Sequence, residues 1–269
     1  MDREKISSTL LTSLEETGKV LKETLFERRV VAEKGELSLV TETDRRSEEI
    51  VVGNILRNFP DHAIITEESP ARGKSPYRWV IDPLDGTTNF AHTYPVACVS
   101  IGFEDHGTVT FGGVYDPFRN ELFYAEKGRG ATLNGFPIVV SQNPDLAHSL
   151  LATGFPYDRR QHPDEYLAPF KAFMLRVHGI RRTGAAAIDL CYVAAGRFDG
   201  FWEPKLHIWD VAAAFLIIEE AGGMLSDFAG QPLSITNLES TVLPQTVASN
   251  GFLHGEMLEV LKPFTQIGK

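Results

Sequence analysis

Apolar residues recur at helical spacing near the start of the chain. They stand four or seven residues apart, with Glu and Lys between them, at Ile6, Leu10, Leu14, Leu21 and Leu25. This pattern is typical of an amphipathic helix that buries one stripe, and it predicts a helix over 3–29. A second helix is predicted over 44–58, where apolar residues again supply a buried face and Pro60 follows the end.

Short runs of β-branched and aromatic residues come next, separated by Gly and Asp turns. They predict strands over 63–65, 77–81, 96–103, 108–115 and 121–125. Because turn residues separate these runs, we expect them to form a meander of antiparallel strands.

After about residue 145, strand and helix patterns alternate. Strands are predicted over 150–153 and 201–202, and helices over 165–176, 185–195 and 210–221. Gly222 and Gly223 supply a C-cap for the last of these helices. The chain shows no linker, repeat or low-complexity tract. We therefore expect one α/β (α+β) domain over 1–269, strand-rich up to about residue 145 and α/β from about 146 onward.

The 269 residues have an acidic balance, with 26 Lys and Arg against 36 Asp and Glu and a formal net charge of −10. This balance argues against a nucleic-acid partner, and it means that an anionic substrate would need cations. The N-terminus lacks the pattern of a secretory signal, and the longest apolar run, 211–218, is too short to cross a bilayer. We expect a cytoplasmic protein with no membrane partner, in which Cys98 and Cys191 are buried, reduced thiols.

Two carboxylates three residues apart follow a buried strand in the segment 79–90, Trp-Val-Ile-Asp-Pro-Leu-Asp-Gly-Thr-Thr-Asn-Phe. This arrangement, just before the start of a helix, is typical of a site for a hard cation that binds phosphate. Asp82 and Asp85 would ligate Mg²⁺, while free N–H groups and the helix dipole would face the anion. Gly86 lets the backbone approach a ligand closely. The structural alternative is an Asx-turn and an N-cap.

Other acidic residues stand at the ends of predicted elements. Glu67 and Glu68 follow the strand 63–65, and only one of them can point into a site because neighbours in an extended chain face opposite ways. Asp210 precedes an apolar helix and Asp44 follows an apolar run, so a plain helix cap is an alternative role for each. The sequence lacks the His-Glu-x-x-His pattern of zinc proteases and the Gly-x-Ser-x-Gly elbow of serine hydrolases.

Together these segments resemble the inositol monophosphatase family, the Mg²⁺-dependent, lithium-sensitive sugar phosphatases. The resemblance covers essentially the whole chain, and its most specific parts are the Asp-Pro-Leu-Asp-Gly-Thr-Thr string and the later Trp-Asp pair, in this order. Further segments that carry it are 39–44, 65–69, 182–187, 200–203 and 220–223. The resemblance implies a layered α-β-α-β-α sandwich of the inositol monophosphatase and fructose-1,6-bisphosphatase type, commonly a homodimer.

The resemblance also implies roles for individual residues. Two to three Mg²⁺ ions would be held by Glu67, Asp82, the Leu84 carbonyl, Asp85 and Asp210. Thr87, hydrogen-bonded to Asp44, would orient and activate the attacking water together with Glu67. The substrate would contact the N–H groups of Gly86, Thr87 and Thr88, the backbone of Gly184, Ala185 and Ala186, and the side chains of Glu203 and Asp210.

The activity implied is the hydrolysis of inositol monophosphate to myo-inositol and phosphate. A phosphate monoester is a dianion near neutral pH, so several carboxylates can approach it only if cations intervene. We expect direct, in-line attack by a metal-activated water with no covalent phospho-enzyme. A phosphatase of the haloacid dehalogenase type, which attacks with an Asp, fits poorly because its two aspartates stand two residues apart and not three.

Several alternatives stay open from the sequence. Fructose 1,6-bisphosphate, histidinol phosphate and 3′-phosphoadenosine 5′-phosphate are competing substrates within the family, although Glu203, seven residues before Asp210, favours a polyol ring. A regulatory binding protein with residual activity is a non-enzymatic alternative. Retention of the expected carboxylates favours an active enzyme.

Overall fold

The computed structural model describes residues 2–27, 31–33, 39–233 and 241–268. Over these ranges the helices are α1 (Arg3–Thr24), α2 (Glu42–Asn58), α3 (Thr87–Ala91), α4 (Pro163–Met174), α5 (Ala186–Ala194), α6 (Ile208–Glu220) and α7 (His254–Leu261). The first strands are β1 (Val31–Glu33), β2 (Leu39–Thr41), β3 (Ala63–Thr66), β4 (Tyr77–Asp85), β5 (Cys98–Asp105), β6 (Thr108–Asp116) and β7 (Glu121–Glu126). The remaining strands are β8 (Ala131–Leu133), β9 (Phe136–Ile138), β10 (Leu150–Thr153), β11 (Gly179–Arg181), β12 (Gly200–His207), β13 (Met224–Ser226) and β14 (Val242–Ser249).

Two large sheets and three helical layers alternate through the molecule. One sheet has seven strands in the order β3-β4-β5-β6-β7-β8-β9, and the other has five in the order β11-β10-β12-β14-β13. Helices α1 and α2 pack on the outer face of the first sheet, α5 and α6 lie between the sheets, and α4 and α7 cover the second sheet. The α-β-α-β-α sandwich predicted from the sequence is therefore confirmed.

The apolar patterns in the sequence correspond to these layers. The predicted stripe of α1 is buried from Ile6 to Leu25, although the helix ends at Thr24 and positions 28 and 29 of the prediction lie outside the described residues. Helix α6 is buried from Val211 to Ile218 because sheets cover it on two sides. Its end is a C-cap as predicted, with Gly222 at φ +87°.

The strand prediction needs one correction. The strands from β4 to β9 form the expected antiparallel meander, but β3 pairs parallel to β4, with Thr66 opposite Ile81. The connection over 67–76 is too long for a tight hairpin, so β4 enters the sheet in the same direction as β3. As a result, Glu67, which follows Thr66, and Asp82, which follows Ile81, lie at the same edge of the sheet.

Other differences concern the ends and the number of elements. Strand β4 continues through Asp85, and β12 continues to His207, beyond the apolar residues that indicated them. Eight elements were not predicted, namely β1, β2, β8, β9, β11, β13, β14 and α7. Cys98 and Cys191 are buried free thiols, as predicted. Among the described residues no helix has the length and apolar character needed to cross a bilayer.

Close contact between β6 and α6 depends on Gly112. A Cβ atom at this position would lie 2.7 Å from the carbonyl oxygen of Ala213 and 3.0 Å from its Cα. We expect Gly112→Ala to lower the free energy of unfolding by about 1–3 kcal/mol, because helix and sheet must separate to accommodate the methyl group. The matched control is Gly53→Ala on α2, where a Cβ would meet nothing within 4 Å.

The control change should raise the free energy of unfolding by up to about 1 kcal/mol, because alanine has the higher helix propensity. Urea denaturation of the two variants measures both values. Equal stabilities for Gly112→Ala and the wild type would contradict the close contact between sheet and helix.

Candidate active site

A cavity of about 560 Å³ lies where both halves of the chain meet. The four acidic residues predicted as metal ligands, Glu67, Asp82, Asp85 and Asp210, all line it. They come from the ends of β3 and β4 and from the first turn of α6. Residues far apart in the sequence therefore share one cavity.

Each of the three aspartates is held by a backbone N–H group. Asp82 Oδ1 accepts from the Leu84 N–H at 2.9 Å, and Asp85 Oδ2 accepts from the Ala187 N–H at 2.7 Å. Asp210 Oδ2 accepts from the His207 N–H at 2.8 Å. These bonds involve one carboxylate oxygen of each side chain. The second oxygen of each can bind a ligand.

Asp210 caps the start of α6 and also lies at the cavity. Its bond to His207 forms part of a capping box at the start of α6, and the same side chain lines the cavity. Asp44 is used in a similar way, since its Oδ2 accepts from the N–H and the hydroxyl of Thr41 at 2.8 and 2.5 Å. A capping residue and a site residue need not be alternatives.

Asp44 reaches the cavity through Thr87. The Thr87 hydroxyl lies 3.0 Å from Asp44 Oδ1 and 3.1 Å from the carbonyl oxygen of Leu84, so both are acceptors within its reach. Asp44 and Thr87 are both buried, whereas Thr88 beside them is exposed. The pair predicted to orient a water molecule is thus in contact.

Gly86 is required at the turn between β4 and α3. Its φ of +94° falls in the left-handed region, and a Cβ would lie 2.8 Å from the carbonyl oxygen of Val96. Glycine alone meets both conditions without strain. The turn places the backbone of Gly86, Thr87 and Thr88 along the cavity wall.

Mutual repulsion and burial raise the pKa of the clustered carboxylates. Burial raises the pKa of Asp82 well above its usual range, and the charges of Glu67, Asp85 and Asp210 add to this rise. Burial also raises the pKa of Asp210, with the charges of Asp85 and Glu67 as further causes. The pKa of Asp85 rises to about 6, since burial outweighs the N–H groups of Ala187 and Ala186 that bind its ionised form.

This donor set fits a hard divalent cation. Every candidate ligand is an oxygen, which is what Mg²⁺ and Ca²⁺ prefer. A bound cation would favour the ionised carboxylates, which burial and mutual repulsion disfavour. Over 2–27, 31–33, 39–233 and 241–268, no group of three or more His, Cys, Asp or Glu side chains is already close enough together to hold a metal ion. The carboxylates share a cavity and keep their backbone partners.

One wall of the cavity carries two further buried acids. Glu203 on β12 was predicted, and burial raises its pKa to about 8 although the charge of Arg182 opposes the rise. Asp189 on α5 was missed; it accepts a hydrogen bond from Thr183 Oγ1 at 2.7 Å, and burial raises its pKa to about 8. The sequence signal that could have identified Asp189 is a single acidic residue within the apolar run of α5. Gly184, Ala185 and Ala186 line the same wall, as predicted.

A loop over 154–162 also borders the cavity and was not predicted. Phe155, Tyr157 and Arg159 line the cavity from this loop. The loop is fixed by Asp158, which accepts from Lys205 Nζ at 2.5 Å and from the Tyr166 hydroxyl at 2.8 Å. No sequence motif predicts these contacts, because they depend on how segments distant in the sequence pack together.

Comparison with known proteins identifies the family of this site. The family model described as the inositol monophosphatase family matches residues 2–262. The chain belongs to the inositol monophosphatase family. Members of this family are phosphatases, and hence hydrolases, and are generally metal-dependent.

Individual relatives differ in what their names say. The chain is 47% identical to the inositol-1-monophosphatase of Synechocystis over 86% of this chain and 79% of that protein. It is 39% identical to an Aquifex aeolicus protein named fructose-1,6-bisphosphatase/inositol-1-monophosphatase, over 93% and 92%. It is 47% identical to the Nus factor SuhB of Pseudomonas aeruginosa, over 74% and 76%.

A solved structure supports the fold assignment. The inositol monophosphatase from Anabaena superposes with a TM-score of 0.87 at 40% identity, and the match covers 98% of this chain and 97% of that one. The layered sandwich is thus that of the inositol monophosphatase family.

Proposed function

We propose that this chain is a Mg²⁺-dependent phosphomonoesterase that hydrolyses inositol monophosphate to myo-inositol and phosphate. The observation that supports this proposal best is the shared cavity of Glu67, Asp82, Asp85 and Asp210. We also propose that the chain acts as one domain, in the cytoplasm, as a homodimer. The formal net charge of −10 argues against a nucleic-acid partner.

Two to three Mg²⁺ ions would bind at this carboxylate cluster. One would be held by Glu67, Asp82 and the Leu84 carbonyl, a second by Asp82, Asp85 and Asp210, and a weaker third by Glu67. When bound, they would neutralise the phosphate charge and make a neighbouring water more acidic.

The Thr87 and Asp44 pair would orient the attacking water. Because the Thr87 hydroxyl donates a hydrogen bond to Asp44, its lone pairs remain to accept a hydrogen bond from water. The bonds from Thr41 keep the Asp44 carboxylate in place. Glu67 would accept the proton that the water loses on attack.

The phosphate would lie against the turn after β4. N–H groups in the first turn of a helix have no partner within the helix, so those of Gly86, Thr87 and Thr88 can donate to phosphate oxygens. In-line attack from the opposite side would then expel the sugar oxygen.

The polyol ring would contact the wall formed by Gly184, Ala185, Ala186 and Glu203, with Asp210 at its edge. The buried Glu203 carboxyl can accept hydrogen bonds from ring hydroxyls. The Glu203 carboxyl can occupy its position only because residue 154 is glycine, since a Cβ atom there would lie 2.2 Å from Glu203 Oε2.

Gly154→Ala therefore tests the role of Glu203. The carboxyl group is the flexible end of its side chain, so we expect it to move while the fold persists. KM for inositol 1-phosphate should rise about tenfold, the cost of losing one hydrogen bond to a buried carboxyl group. Gly255→Ala on α7, where a Cβ meets nothing within 4 Å, is the matched control. An unchanged KM in Gly154→Ala would remove Glu203 from substrate binding.

Steady-state assays of a panel of phosphate esters, with and without Mg²⁺, test the proposed function directly. The panel contains inositol 1-phosphate, fructose 1,6-bisphosphate, histidinol phosphate and adenosine 3′,5′-bisphosphate. We expect the highest kcat/KM for inositol 1-phosphate and no turnover in EDTA. Labelled phosphate should not remain on the acid-quenched protein. Turnover in EDTA, or a trapped aspartyl-phosphate, would overturn the mechanism.

A second candidate, a regulatory binding protein, is favoured by the relatives named Nus factor SuhB. That candidate would be favoured over the enzyme by two results together. No ester would release phosphate with Mg²⁺ present, and a protein partner would co-purify in stoichiometric amount.

A further inference from the structure

Helix α2 carries a second buried acid one turn after Asp44. The side chain of Glu48 is buried, with 7% of the residue exposed, whereas its neighbour Glu49 on the same helix is exposed. Burying a carboxylate costs free energy unless hydrogen bonds replace those lost to water. The groups that donate to Glu48 therefore indicate its role.

One oxygen of Glu48 accepts two hydrogen bonds from the end of β3. Glu48 Oε2 accepts from the Thr66 hydroxyl at 2.8 Å and from the Glu68 N–H at 3.1 Å. These two donors stand directly before and after Glu67 in the chain. A side chain of α2 thus holds both neighbours of a proposed metal ligand, while Glu67 itself lines the cavity.

The position of Glu67 matters because other carboxylates repel it. Its charge helps to raise the pKa of both Asp82 and Asp210. Asp82 lies within β4 and Asp210 within the first turn of α6, whereas Glu67 follows the last residue of β3. Backbone beyond the end of a strand opens at a lower free-energy cost than backbone within one. Contacts to the residues beside Glu67 therefore oppose its displacement by like charges.

The same helix supports the other residue proposed to handle the attacking water. Asp44 and Glu48 stand four residues apart, so they project from one face of α2, one turn after the other. Asp44 accepts a hydrogen bond from the Thr87 hydroxyl, and Glu48 holds the residues on both sides of Glu67. One helix thus fixes Thr87 and Glu67 relative to each other.

We propose that Glu48 is a positioning residue that holds Glu67 ready to bind the divalent cation. It acts through the Thr66 hydroxyl and the Glu68 N–H, and the cavity lining within the described ranges does not include it. The proposal rests on the proposed function, in which Glu67 is a metal ligand. A ligand that is already in place binds more tightly, because less conformational freedom is lost on binding.

Calorimetric titration with Mg²⁺ alone, without substrate, tests the proposal. Glu48→Ala removes both hydrogen bonds, so it should bind Mg²⁺ at least about tenfold more weakly than the wild type, as when other residues that support a metal ligand are lost. Thr66→Val keeps the shape of the side chain and removes one bond, so the loss should be about threefold, half of the free-energy change. Glu48→Gln keeps an oxygen that can accept both bonds, so it should bind Mg²⁺ more tightly than Glu48→Ala.

Glu49→Ala is the matched control. The change removes a carboxylate of the same type from the next position of the same helix, where it is exposed. Mg²⁺ affinity should stay within about twofold of the wild type, because salt screens an exposed charge over about 10 Å.

A double-mutant cycle separates positioning from a general change in the fold. In a Glu67→Ala background, Glu48→Ala should change Mg²⁺ affinity by less than about twofold, because the residue through which Glu48 acts is already gone. The same tenfold loss with and without Glu67 would overturn the proposal.

Two other results would also count against it. Equal Mg²⁺ affinities of Glu48→Ala and the wild type would show that Glu67 needs no support from Glu48. Equal losses in Glu48→Gln and Glu48→Ala would assign the effect to the charge and not to the hydrogen bonds. If Glu48→Ala does not fold, Thr66→Val decides, and wild-type affinity in that variant overturns the proposal.

The proposed function is tested separately, by ester hydrolysis. A wild type that binds Mg²⁺ but releases no phosphate fails as a phosphatase, and the Mg²⁺ affinities of the variants still decide the role of Glu48. A wild type that hydrolyses its ester but binds Mg²⁺ no better than Glu48→Ala leaves the proposed function standing and overturns this role.

Discussion

Asp82→Asn is expected to lower kcat at least about 100-fold and to raise the Tm of the metal-free protein. Removing a residue that only hydrogen-bonds to a metal ligand lowers activity or metal affinity by about 10- to 100-fold. Removing a ligand shared by two ions should lower kcat by at least as much. Stability should rise because the variant removes a buried carboxylate whose pKa is raised by burial and by Glu67, Asp85 and Asp210. Steady-state kinetics at saturating Mg²⁺ and thermal melts in EDTA measure the two effects.

Asp116→Asn is the control for this prediction. Asp116 is also buried, but it is paired with Arg119 at 2.8 Å and accepts N–H bonds from Phe118 and Arg119. The same chemical change should lower Tm here and leave kcat within about twofold, because it removes a favourable pair far from the cavity. Turnover near the wild-type value in Asp82→Asn would refute the metal scheme.

The sequence predicted the residues of the carboxylate cluster better than it predicted their supports. Asp82 and Asp85 stand in one short string, so their proximity follows from local structure. Glu67 lies near them because β3 and β4 are parallel. The sequence pattern predicted antiparallel pairing, because turn residues separate the predicted strands.

Asp44 and Asp210 show a second reason for incomplete prediction. Each is the third residue of a helix, where its carboxylate caps the backbone. The same carboxylate also lies at the cavity or contacts a residue that lines it. A local pattern reports the cap and says nothing about the second role. Only the tertiary contact, such as that between Thr87 and Asp44, reveals it.

Mg²⁺ should stabilise this protein more as pH rises. An acid whose pKa is higher in the folded state than in the unfolded state destabilises the fold once pH exceeds the unfolded value, by about 1.4 kcal/mol per pH unit until the folded pKa is reached. For Asp85 this window runs from its usual value of 3.8 to about 6, and Asp82 and Asp210, whose pKa values are raised further, extend it upward. Bound Mg²⁺ removes this cost, so Tm with Mg²⁺ minus Tm in EDTA should grow from pH 5 to pH 8.

The difference between the two melts is needed because other groups titrate in the same range. Burial lowers the pKa of His254, which lies between the hydroxyls of Ser226 and Ser249, so its contribution is lost as pH falls and opposes the trend of the carboxylates. Glu203 and Asp189 destabilise the fold up to about pH 8, and because the charge of Asp85 contributes to both raised pKa values, bound Mg²⁺ relieves part of this cost as well. The contribution of His254 cancels in the difference, which should amount to several degrees at about 2–4 °C per kcal/mol. In Asp85→Asn the difference should grow less with pH, and a difference that stays constant from pH 5 to pH 8 in the wild type would mean that no ionised carboxylate of this cluster binds the ion.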